Sequence, residues 1–142
     1  MLVLVLPDQV MSFWNSFEGH IEQSLPPIAS VEGVDANQIL YSLMIGSMQC
    51  WLYSDFEQST KGFILTTTFR DVTDIGTLLL YEVVIFDKEV QVEWKVELET
   101  MKKFALARDC RRIAAFIANK KVLSVLESWG VNTSFTFATL DL

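Results

Sequence analysis

The chain has 142 residues, enough for one domain with a sizeable core, and carries a formal net charge of −7. That charge disfavours nucleic-acid backbones and anionic lipid surfaces, and no apolar run approaches the length that spans a bilayer. One His and two cysteines outside any C-x-x-C pair cannot build a metal cluster.

Apolar residues make up 51% of the chain, with ten Phe and four Trp, which predicts a generous aromatic core. Met1–Leu6 is apolar but short, lacks a basic start and is closed by Pro7-Asp8, so it reads as a buried strand rather than a secretion signal. Pro7 then opens a helix, where its missing N–H costs little. Val10, Trp14, Phe17, Ile21 and Leu25 recur at spacings of three and four, an amphipathic stripe that Pro26-Pro27 ends. Asp35 followed by Gln38 is a variant capping box for a second helix, with Ile39, Leu40, Leu43 and Met44 on its apolar side and Gly46 at its end.

Three strand-like runs follow, Met48–Ser54, Gly62–Arg70 and Thr77–Phe86, the last almost continuously apolar. The short polar connections between them predict a meander. From about Glu89 to Arg108 the period becomes helical, with Val90, Trp94, Leu98, Met101 and Ala105 on one face. The cations Lys102, Lys103, Arg108, Arg111 and Arg112 then suit the negative end of that helix. Arg112–Ala118 reads as a strand, Lys120–Ser128 as a helix closed by Gly130, and Ser134–Leu142 as a final strand. The order β-α-α-β-β-β-α-β-α-β predicts a mixed α/β sheet flanked by helices, with a parallel pair made by the β-α-β unit from Thr77 to Ala118. The whole chain, 1–142, reads as one domain.

That element order resembles the GNAT acyltransferases. Asn119-Lys120-Lys121-Val122 running to Leu126-Glu127 and Gly130-Val131 is similar to their N-x-x-A-x-x-x-Y-E-x-x-G-F stretch. Asn119, Glu127 and Gly130 fit the pattern, while Val122, Leu126 and Val131 depart from it. A narrower resemblance, over nearly the whole chain, is to small GNAT-like proteins of tailed bacteriophages and prophages. It rests on Pro7-Asp8-Gln9-Val10 with Trp14, on Gly46, Gln49 and Trp51 as a G-x-x-Q-x-W block, and on the long helix with Trp94, Ala105 and Cys110.

The resemblance implies an acyl-CoA pyrophosphate bound to backbone N–H groups between the fourth strand and the next helix, on a glycine-bearing Q/R-x-x-G-x-G/A turn. The matching stretch here, Phe86 to Trp94, has no glycine and carries Asp87, Glu89 and Glu93, with Lys88 the one cation. The family's proton-donating tyrosine falls at Leu126. Tyr81 and Trp129 are close in sequence, yet nothing places a phenol at a leaving thiolate. Glu82, inside the fourth strand, has the chemistry of a general base, though the plainer reading is an ionised or edge-facing carboxylate. His20 reads as a partly exposed helix residue, Asn119 as a helix cap, and Cys50 and Cys110 as buried thiols. Phe135 and Phe137 make one side of the last strand aromatic.

These readings assign no catalytic, cofactor-binding or metal-binding residue. They predict a non-catalytic GNAT-fold binding or structural protein, a bacteriophage virion component located in the particle or the host bacterial cytoplasm. Its expected partners are phage structural proteins or further copies of itself, with no nucleic acid and no membrane insertion. The alternative is an N-acyltransferase that takes acetyl-CoA through an atypical site.

Overall fold

A computed structural model describes residues 1–24, 35–54, 59–86, 92–117 and 119–140. The elements in chain order are β1 (Leu2–Val5), α1 (Val10–Ser24, entered through a short 3-10 turn at Pro7–Gln9), α2 (Ala36–Met44), β2 (Met48–Ser54), β3 (Thr60–Arg70), β4 (Gly76–Ile85), α3 (Trp94–Ala107), β5 (Cys110–Ala115) and α4 (Lys120–Ser128). The five strands lie side by side in chain order. β1 to β4 pair antiparallel, and β4 pairs parallel with β5 through the α3 crossover. This is the mixed α/β architecture and element order expected up to α4.

Alternation along the strands divides the core into two layers. Cys50, Leu52, Phe63, Leu65 and Val84 face α1 and α2, where they meet Trp14, Phe17, Ile21, Ile39 and Leu43. Trp51, Tyr53, Ile64 and Leu78 face the other way, onto Met101 and Ala105 of α3. Trp51 Nε1 donates to Thr66 Oγ1 at 3.0 Å, which donates to Gln49 Oε1 at 3.0 Å, so this buried polar chain is satisfied. Gly62 stands where any Cβ would strike the carbonyl oxygen of Val84 on the neighbouring strand. Asp35 caps α2 by accepting from Asn37 N at 2.9 Å, and Gly46 follows the helix at φ 76°.

Three expectations are corrected. The long helix begins at Trp94 rather than Glu89, and Val90 lies outside the described residues. Trp94 is exposed, and Glu97 instead sits on the buried face with Met101 and Ala105. The Glu97 carboxylate can be buried there because it accepts from Leu2 N at 3.0 Å and pairs with the Met1 ammonium at 3.1 Å. The last strand does not form over residues 134–140, while Asp141 and Leu142 lie outside the described residues. A strand needs a ladder partner, and the chain is turned aside first. Gly130 takes φ 82°, Val131 N bonds back to Leu126 O, and the Asn132 side chain accepts from both Ser134 N and Ser134 Oγ.

Candidate functional site

The parallel ladder between β4 and β5 runs from Gly76–Cys110 to Leu80–Ala115 and stops, while β4 continues to Ile85. Tyr81 to Ile85 therefore have no partner strand on that side among the described residues. The same place carries an irregularity on the opposite edge. Leu65 pairs with Glu82, but the next residue of β3, Thr66, pairs with Leu80, leaving Tyr81 as one extra residue in β4.

That bulge decides which way the side chains point, because one inserted residue reverses the alternation beyond it. Leu78 and Leu80 pack toward α3, whereas Tyr81 and Val84 belong to the α1/α2 layer. Glu82 follows the shifted phase. It stands opposite Leu65, which stands opposite Cys50, which stands opposite Val5, so the carboxyl joins an otherwise apolar row across the sheet.

Glu82 is 4% exposed, and neither carboxyl oxygen has a hydrogen-bond partner. Burial pushes its pKa from 4.5 up to about 8, since the ionised form loses its hydration. The expected ionised or edge-facing carboxylate is thus corrected: β4 lies between β3 and β5, and its bulge turns this side chain into the core. Burial, and next the Glu82 charge, push the Cys50 thiol up to about 12, so Cys50 is an inert thiol rather than a nucleophile. The Tyr81 phenol is raised for the same two reasons, burial first. A carboxyl that exchanges its proton near neutral pH, beside an unpaired strand edge, can accept a proton from an arriving amine.

The other residues singled out in the sequence separate from this centre. His20 is exposed on α1 with its ring 4.5 Å from that of Phe86. Asn119 caps α4, accepting from Lys121 N at 2.9 Å. Leu126 on α4 and Trp129 at its C-cap are half-buried, and Lys95 Nζ lies 5.9 Å from the Trp129 ring centre. Cys110, like Cys50, is buried and free of any disulfide. The glycine-free stretch falls largely on residues 87–91, outside the described residues, and its last acid, Glu93, stands exposed as the N-cap of α3. Among the described residues no group of three or more His, Cys, Asp or Glu could hold a metal ion, and no helix is long and apolar enough to cross a membrane.

No protein-family profile matches the chain, and no curated protein matches it in sequence. Solved structures do match, over its full length. An aminoglycoside acetyltransferase from an uncultured soil metagenomic sample superposes with a TM-score of 0.71 at 9% identity, covering 97% of that chain. A probable acetyltransferase gives 0.70 at 14%, again over 97% of its length. The ribosomal-protein-alanine N-acetyltransferase from Brucella melitensis biovar Abortus 2308 gives 0.69 at 10%, over 99%. The fold is that of the GNAT acetyltransferases.

Proposed function

We propose that this GNAT-fold chain is an N-acyltransferase that takes an acyl thioester such as acetyl-CoA at the open edge of β4, with Glu82 as the proton acceptor for an amine. The observation that carries this reading is the buried, unpartnered Glu82 carboxyl, turned by the bulge at Tyr81 beside a strand edge that lacks its neighbour. A burial penalty of this kind is retained where the group has a task. Structures of this fold solved as acetyltransferases point the same way.

The residues present fit such a ligand in part. An extended, amide-bearing arm can bond to the unpaired backbone of Tyr81–Ile85 in the manner of an added strand. The acyl thioester would supply an activated carbonyl carbon. Glu82 takes the proton released as the amine nitrogen bonds to that carbon and the carbon–sulfur bond breaks. No described residue offers a phenol to the leaving thiolate at the Leu126 position, so the thiolate takes its proton from solvent.

Calorimetry with acetyl-CoA and longer acyl-CoAs tests the proposal. Stoichiometric binding is expected, with transfer to an amine acceptor rising with pH through a midpoint near pH 8, where Glu82 ionises. E82Q should keep the binding and lose the transfer. Absence of binding by every acyl-CoA tried would remove the proposal.

A second reading keeps the fold and drops the chemistry: a binding or structural component of a bacteriophage particle, in the virion or the host cytoplasm. Leu126 at the tyrosine position and the glycine-free stretch with Asp87, Glu89 and Glu93 favour it, because those carboxylates repel a pyrophosphate. Mass spectrometry of purified particles decides that role. The protein's absence from them would remove it.

A further inference from the structure

We propose that residues 131–140 are a strand in waiting, which adds to the outer edge of β5 in a second copy of this chain and so makes a two-fold dimer. Two unmet halves of one contact lie in the same molecule. The first is β5 itself. It is paired by β4 on one side and is the last strand of the sheet among the described residues. An edge of this kind is a template for strand addition.

The second half is the segment after α4. Residues 131–140 carry no charge, and six of the ten are Val, Thr or Phe, the composition of a strand rather than of a loop. Phe135 and Phe137 alternate with Thr136 and Ala138, yet Phe135 is 81% exposed, Phe137 65% and Leu140 84%. The segment's hydrogen bonds are local ones through Asn132, Glu127 and Leu126, and it forms no ladder with any described strand. Phe137 reaches Phe116 just past the end of β5, with ring centres 5.4 Å apart, so the segment lies near that edge without pairing to it. α4 adds exposed Val122 and Val125.

A second copy is the occupant that the chemistry favours. A two-fold axis lets each segment meet the other's β5, so both unmet edges are satisfied at once; a dissimilar partner would satisfy one. The charges agree. β5 presents exposed Arg111 and Arg112, and the uncharged segment is flanked in sequence by Glu127 and Asp141. Both arginines lie at the start of β5, so the one acidic flank of the added strand that reaches them would favour a single register.

Sedimentation velocity of the full chain across micromolar concentrations, with hydrogen exchange at residues 134–138, tests the proposal. Expected is a monomer–dimer equilibrium in which those amides gain protection only in the dimer. F135P and T136P, made separately, each remove one N–H. The variant whose N–H faces the partner strand should raise the dissociation constant about tenfold or more. F135S/F137S, both exposed positions, should do the same with the circular dichroism of the monomer unchanged. A chain that stays monomeric overturns the proposal. So does a dimer insensitive to all three variants, or protection that persists at every dilution, which would place the strand on the chain's own sheet.

Discussion

Replacing Glu82 by Gln tests the bulge-turned carboxyl most directly, because it keeps the shape and removes the titration. In the folded chain Glu82 holds its proton up to about pH 8. In the unfolded chain it ionises near the ordinary glutamate value of about 4.3. Between those two values the unfolded state binds fewer protons, so stability falls as pH rises. With the carboxyl 4% exposed, the loss is not screened by solvent. Integrating between about pH 5 and pH 8 gives a loss on the order of 3–4 kcal/mol from this one group, a large part of a typical domain's stability of about 5–15 kcal/mol. E82Q should match the wild type near pH 5 and exceed it by roughly that amount at pH 8. Urea unfolding followed by tryptophan fluorescence reads the difference at each pH. Parallel stability curves for the two proteins would refute the argument, since they would mean that Glu82 is ionised in the fold.

Two further substitutions probe how the layers are held. T66V leaves the Trp51 indole N–H and the Gln49 carbonyl without their buried partner, and should lower stability by about 2 kcal/mol in the same unfolding assay. E97A removes the acceptor of Leu2 N and should cost about 2 kcal/mol, with amide exchange in β1 accelerating more than in β3, because β1 is a sheet edge and β3 is central.

The periodic elements were legible from residue pattern alone, because an amphipathic helix or a half-buried strand writes its period into the chain. Met48–Ser54 and Lys120–Ser128 have the bounds that their pattern predicts, and Asp35 and Asn119 cap the helices that follow them. The last segment misled for an instructive reason. Its alternation is that of a strand, but a ladder is a property of two segments, and the turn at Gly130–Ser134 leaves 134–140 near the free edge of β5 without pairing to it. Trp94 misled too: the helical period predicts it on the buried face of α3, where the structure places Glu97 instead. Glu97 can be buried there only because the start of β1 supplies Leu2 N and the Met1 ammonium to its carboxylate, a pairing that the helical period does not record.

Sequence alone determined the element order up to α4 and the mixed sheet, since these depend on local spacing and residue type. It marked Glu82 only as one ionisable residue in an apolar run. Tertiary pairing decided the rest: one residue of slack between β3 and β4 turns that carboxyl from one face of the sheet to the other, and no property of β4 by itself records which residue its neighbour will skip.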